Sequence, residues 1–334
     1  MKSWRVLAAL VLLAIIAAAS VGAWWLKRPL ALAADSVEVS IEPGTPPREI
    51  AQAWVQAGVQ ASPTLLYEWF RWSGQSRKIR AGSYEIGPGV TPMMLLNKMV
   101  RGDETLAVVR LIEGWTFRQF RAELAKADSL KPNTANLSDE QIMQALGAPG
   151  VPPEGRFHPD TYAYSKGSSD LAVLKRAYRA MQKRLDAAWQ ERAPDSPLQS
   201  PDDALVLASI VEKETGVGAD RGRVAGVFVN RLRIGMPLQT DPTVIYGLGA
   251  SFDGNLRKRD LLADTPFNTY TRGGLPPTPI ALPGMASLLA AVRPEPTRAL
   301  YFVARGDGTS AFSESLAEHN RAVDRFQRAS APAR

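Results

Sequence analysis

An uncharged apolar stretch runs from Val6 to Leu26 and closes with Trp24, Trp25, Lys27 and Arg28. As a helix it would extend about 32 Å at roughly 1.5 Å per residue, enough to cross a hydrocarbon core about 30 Å thick. Tryptophans at one end and basic residues on both flanks (Lys2 and Arg5, then Lys27 and Arg28) suit the two membrane–water interfaces. A cleaved signal peptide is the competing reading, since Ala31-Leu32-Ala33 offers small residues, but its apolar region is shorter, about 7–15 residues. We therefore expect a short tail at 1–5, a retained transmembrane helix at 6–26, a linker at 27–36 and a soluble body beyond it. Charge sets the orientation only weakly, because Lys2, Arg5 and the α-amine barely outweigh Lys27 and Arg28.

The body is long enough for about two domains at roughly 100–200 residues each. There is no cysteine among the 334 residues, which removes disulfide staples, thiolate zinc sites, iron–sulfur clusters and a cysteine nucleophile. Only His158 and His319 supply imidazoles, with no ligand pattern around either, so no metal is expected and a serine triad would have to use one of them. The net charge of +7 is spread along the chain and not gathered in one block, and it gives little support to nucleic acid as a partner.

Residues 37–103 read as a small α+β module. Val37 to Ile41 alternates as a strand does, Pro46–Ala57 and Pro63–Trp72 have helical character, Ile79–Ile86 is a second strand, and Thr91-Pro92 opens a helix to Val100. Tyr67, Trp69, Phe70 and Trp72 could form a sugar-stacking surface. In so small a unit they are more simply its core.

Beyond Leu106 a larger mixed α+β region is expected, 104–328, with a tail at 329–334. Glu113-Gly114-Trp115 reads as a strand end, Thr116 opens a helix to about Lys126, Lys131–Asp139 is a loop, Glu154 to Tyr162 is a fixed loop, and a charged amphipathic helix follows from Leu171 to about Arg192. The best-defined element begins at Ser200-Pro201-Asp202-Asp203: an N-cap, a first-turn proline and two carboxylates that complement the helix dipole. Ala204 to Val211 is apolar on nearly every face, and Gly216 suits the residue that ends the helix. Glu212 and Glu214 thus sit at the negative end of a buried helix, where a carboxyl pKa should rise and a general acid becomes available. Residues i and i+2 diverge by about 200°, so only one of the pair addresses a given bond. The alternative is that both are ordinary solvated end-of-helix residues.

Downstream, Val224–Arg233 is an amphipathic helix, Asp241-Pro242 reads as an N-cap and N1 pair opening a helix to Tyr246, and 265–280 is a rigid loop rich in Gly, Pro and polar side chains. Pro283–Val292 is a helix, Ala299–Arg305 and Thr309–Phe312 form a hairpin, and Ser313 caps a terminal helix. Asn, Gln, Thr, Tyr and Arg around one buried Glu make a sugar-binding inventory. No phosphate-binding loop is present.

Several long motifs then fall in order: EGRFHPDTY at 154–162, ASIVEKETG at 208–216, VFVNRLRIGMPLQTDPTVIYG at 227–247, and FNTY with GLPPTPIALPG at 267–284. They resemble the YceG-like family and, within it, the membrane-anchored endolytic murein transglycosylases. The resemblance implies a LysM-like module at 37–103 and a catalytic domain at 104–328. It also implies cleavage of the MurNAc-β-1,4-GlcNAc bond within peptidoglycan glycan strands to leave 1,6-anhydro-MurNAc ends, which would terminate nascent strands. By the same resemblance the catalytic residue is Glu214, with Thr215 as its hydroxyl partner. Gln239, Asn268 and Tyr270 are candidate substrate contacts, with a structural role open for each. For Asp160, Arg231 and Asp241, loop and cap roles weigh at least as much. No cofactor is implied. The expected setting is the inner membrane, N-terminus cytoplasmic and catalytic domain periplasmic, with cell-wall synthases (penicillin-binding proteins) as possible partners. A non-catalytic glycan-binding scaffold and a two-carboxylate hydrolase are the alternatives.

Overall fold

The computed structural model describes residues 2–215 and 218–328; Gly216 and the tail at 329–334 lie outside the described residues. The chain is mixed α+β and folds as two compact units. The first runs to Val108 and takes in 128–131 and 163–168, and the second holds the rest.

The first unit opens with α1 (Lys2–Lys27), of which Leu10–Lys27 is long and apolar enough to cross a membrane. Then come β1 (Ala31–Leu32), β2 (Val37–Ile41), α2 (Pro47–Gln56), β3 (Val59–Gln60), α3 (Pro63–Trp72), β4 (Gly82–Ile86) and α4 (Pro92–Arg101). Strand β2 alternates as expected, with Val37, Val39 and Ile41 inward, and it pairs antiparallel with β4 from Val37↔Ile86 to Ile41↔Gly82. The second strand starts at Gly82 and not Ile79, because Ser76–Lys78 forms a 3-10 turn. Ser62 caps α3 and Thr91 caps α4, each accepting a backbone N–H three residues on.

The core of this unit gathers Trp54, Leu66, Phe70, Tyr84, Leu95 and Met99 around the β2–β4 ladder. Of the four aromatics read as core, Phe70 is buried and Tyr67 and Trp69 pack partly against it. Trp72 departs from that reading at 77% exposure, since it falls on the outer face of α3. The stretch expected as a linker is tied down: Leu30 N–H donates to Val90 O at 2.8 Å, Ala33 N–H donates to Gly58 O at 2.9 Å, and β1 pairs with β3.

In the second part of the chain the elements are β5 (Leu106–Arg110), α5 (Phe117–Lys126), α6 (Asp139–Ala145), β6 (Thr161–Ser165), α7 (Asp170–Gln190), α8 (Pro201–Glu214), α9 (Arg221–Arg233), α10 (Asp241–Leu248), α11 (Lys258–Leu262), α12 (Met285–Val292), β7 (Tyr301–Ala304), β8 (Ser310–Ser313) and α13 (Leu316–Val323). The strand expected up to Trp115 stops at Arg110. The polar loop gives way at Asp139 to helix α6, where Ser138 and Gln141 close a capping box on the first turn.

Helix α8 is the axis of the second unit, and every residue from Ala204 to Val211 is buried. Helices α7, α9, α10 and α12 pack around it. Such a helix can be apolar on all faces because none of them meets water. Gly226 on α9 is a packing glycine: a Cβ there would lie 2.7 Å from the Glu295 carbonyl oxygen. Two caps differ from expectation. Thr240, not Asp241, precedes α10, and Ser315, not Ser313, caps α13 by accepting from Glu318 N, Ser313 being the last residue of the β7–β8 hairpin.

Candidate active site

Helix α8 starts where its cap signals place it, with Ser200 Oγ accepting from Asp203 N at 3.1 Å. Halfway along, buried Ser209 donates to Val206 O at 2.7 Å and accepts from Ile280 N at 3.0 Å, which pins the Gly- and Pro-rich loop against the helix. The helix ends at Glu214, and the chain leaves through Thr215.

Glu214 is half-buried, and its Oε1 accepts a hydrogen bond from the Thr240 hydroxyl. Burial of the carboxyl raises its pKa above the ordinary value; the Asp241 charge adds to the rise, while the Thr240 bond and the Arg231 guanidinium oppose it. Thr240 stands where an N-cap of α10 would, yet its hydroxyl makes no cap bond and is spent on the carboxylate. It is held tightly. Thr240 N donates to Thr269 Oγ1 at 3.1 Å, Thr243 donates to Thr240 O at 2.7 Å, and the Thr243 and Thr269 hydroxyls lie 2.9 Å apart.

Gln239 adopts φ +48°, a left-handed conformation uncommon outside glycine. Its N–H donates to Thr269 O at 3.1 Å, and its exposed side chain follows the turn that carries Thr240 to Glu214. Tyr270 donates its hydroxyl to Asp241 Oδ1 at 2.5 Å, next to the same carboxyl. Asn268 is only 1% exposed. Its amide donates to the carbonyls of Asp260, Leu261 and Ala263, and its Oδ1 accepts from Tyr270 N at 2.8 Å, so its polar atoms are engaged in holding the loop that presents Tyr270. Thr215 Oγ1 donates to Val211 O at 2.7 Å. Its hydroxyl bond closes the helix end, and Thr240 supplies the bond to Glu214.

Arg231 is 7% exposed, donates to Leu300 O at 2.7 Å and Leu238 O at 2.8 Å, and lies 5.1 Å from the centre of the Tyr301 ring. It braces the strand of chain leading to Gln239 and sets a positive charge near Glu214. Asp160 accepts from its neighbour Thr161 N and, through its carbonyl, from Leu111 N at 2.9 Å, and Arg184 of α7 approaches its carboxylate to 3.8 Å, so its partners are structural.

The i and i+2 divergence is plain in the partners of the two glutamates. Glu212 turns to the far side, where its Oε2 accepts from Gly284 N, the N-cap residue of α12, at 2.9 Å, and Arg221 approaches to 4.0 Å. Its side chain is only 7% exposed, so it ties α8 to α12 and is more than a solvated salt-bridge partner. His158 is buried and held down to about 4, by burial first and then by the Arg184 charge, which makes it a poor base near neutrality. Among the described residues no cluster of three or more His, Asp or Glu could hold a metal.

The YceG-like family model matches residues 39–325. The chain belongs to the YceG-like family. As a YceG-like chain it is 32% identical over 308 residues to the endolytic murein transglycosylase of Bacillus subtilis, a match covering 87% of this chain and 85% of that protein. It is 25% identical over 320 residues to the endolytic murein transglycosylase of Streptococcus pneumoniae, covering 86% of this chain but 58% of that longer protein. A crystal structure of a YceG-like protein from Listeria monocytogenes is 27% identical, with a TM-score of 0.52, and covers 86% of this chain and 98% of its own. For this YceG-like site, Thr240 and Thr269 are the residues that sequence reasoning passed over. The pattern Gln239-Thr240-Asp241-Pro242 reads as a helix start, and only the fold shows that the capping hydroxyl points away from its own helix.

Proposed function

We propose that this chain is an endolytic peptidoglycan transglycosylase with Glu214 as its acid and then its base. The observation that carries this reading is one desolvated carboxyl, raised in pKa and gripped by a single hydroxyl, beside an exposed Gln, a Tyr and a rigid loop. A group poised in this way protonates the glycosidic oxygen as the MurNAc–GlcNAc bond breaks. As carboxylate it then takes the proton of the C6 hydroxyl while O6 closes on C1, which yields the 1,6-anhydro end. No water is activated, so the second carboxylate of an ordinary glycosidase is not needed.

Within this reading Thr240 favours the carboxylate after the first transfer, and Gln239 and Tyr270 contact sugar hydroxyls. Asn268 acts at one remove by fixing Tyr270, and Thr215 closes the helix that carries the acid. The small unit at 37–103 is a LysM-like module that holds glycan, 104–328 is the catalytic domain, and α1 anchors both to the inner membrane with the N-terminus cytoplasmic and the body periplasmic. There it would end nascent strands close to the cell-wall synthases that extend them. The relatives' names, endolytic murein transglycosylase, and the burial of a carboxyl that a mere scaffold would gain nothing from both favour an enzyme over a glycan-binding scaffold.

The test is mass spectrometry of isolated peptidoglycan treated with the purified protein. Internal cuts ending in 1,6-anhydro-MurNAc are expected. Reducing ends would mean a hydrolase, and undigested strands with bound protein would mean a scaffold.

A further inference from the structure

We propose that the face of the first unit carrying Leu65, Trp72, Met93 and Met94 rests in the interfacial layer of the bilayer that α1 crosses. The proposal depends on α1 being a membrane span. Among residues 28–105 these are the large apolar side chains left exposed, at 54, 77, 40 and 52%. They form one surface: Leu65, Trp69 and Trp72 recur at helical spacing on α3, and Trp69 Nε1 donates to Pro92 O at 3.2 Å, at the start of the turn that bears Met93 and Met94.

That surface adjoins the exit of α1. Helix α4 packs on α1, Trp25 packs against the core of the unit, and Leu30 N–H is bonded to Val90 O just before α4 begins. There is no slack between span and module. Two extended residues reach about 7 Å beyond Arg28, and the polar layer on each side of the hydrocarbon is about 5–8 Å thick. Leu30 and Val90 therefore lie within or at the edge of that layer, and the first turn of α4 follows directly. Tryptophan is stable there, and Arg28, exposed at the end of the span, supplies a positive charge for anionic headgroups. Arg71 is paired with Glu68 at 3.5 Å, so apolar contact is the main source of the attachment.

The absence of native cysteine allows single nitroxide labels on the full chain. Leu13→Cys, Leu65→Cys, Met94→Cys and Pro43→Cys would each be labelled and reconstituted in vesicles of phosphatidylethanolamine and phosphatidylglycerol. Collision with oxygen and with a water-soluble nickel complex would then be measured. Pro43 is the aqueous reference, since its turn follows Ile41, about 13 Å along the β2–β4 ladder from the Val37↔Ile86 end. Labels at 65 and 94 should be several-fold less accessible to nickel than the label at 43, and more accessible to oxygen. If they match position 43 while position 13 reports hydrocarbon, the docking proposal is wrong and the span stands. If position 13 is also open to nickel, the anchor reading itself fails and takes the proposal with it. Protection at 65 that needs added soluble glycan would make this a sugar surface and overturn the proposal.

Discussion

Replacing Glu154 with glutamine should change how stability depends on pH more than it changes stability itself. Glu154 is 7% exposed, and its oxygens accept from Phe117 N at 2.9 Å and from the Tyr246 hydroxyl at 3.2 Å. Burial pushes its carboxyl up to about 7 from an ordinary 4.5, against the pull of those bonds. That displacement corresponds to about 3 kcal/mol. Below pH 4.5 the folded and unfolded chains both hold the proton. As pH rises the unfolded chain releases it first, and the folded state loses the full amount by the time pH passes about 7. Glutamine has no proton to lose, so the melting temperature of the native chain minus that of Glu154→Gln should fall by roughly 6–12 °C between pH 4 and pH 8, at about 2–4 °C per kcal/mol. Scanning calorimetry of both proteins across that range measures the difference, and groups common to both cancel. Parallel curves would refute the assignment of a buried, late-ionising carboxyl at 154.

Three further outcomes are expected. Thr240→Val keeps the shape but removes the donor to Glu214; a bond to a charged group contributes about 1.5–3 kcal/mol, so the basic limb of the kcat/KM profile should move up by about 1–2 pH units. Glu212→Gln should remain active while losing about 1–2 kcal/mol in thermal unfolding, because the carboxylate that accepts from Gly284 N is replaced by a neutral amide. Gly226→Ala should destabilise by about 1–3 kcal/mol without altering the products, since its methyl meets a backbone carbonyl that cannot turn aside.

Local signals carried far in this chain because most of its elements are set locally. The cap at Ser200, the unbroken apolar run to Val211 and the alternation of Val37 to Ile41 each map onto what the structure contains. The divergence of Glu212 and Glu214 followed from helix geometry alone. What stayed hidden depends on distant contact. A hydroxyl at 240 reaches a helix end at 214, Glu154 joins Tyr246 to Phe117, and a stretch read as linker is clamped by Val90 and Gly58. Asn268 looked like a sugar ligand because an amide in a polar loop suits that task, and its three carbonyl partners appear only once α11 is folded beside it.

The central claim is that one carboxyl, that of Glu214, gives a proton to the leaving oxygen and then takes one from the C6 hydroxyl, and release of anhydromuropeptides by purified Glu214→Gln tests it most directly. The amide preserves shape and cannot serve as acid or base, so release should fall by roughly 10²–10⁴-fold or more. Thermal stability should be unchanged or slightly higher, since the amide oxygen can still accept from Thr240 and the side chain can no longer place a charge at the negative end of a helix. A folded Glu214→Gln protein that still releases anhydro ends at the native rate would contradict the account.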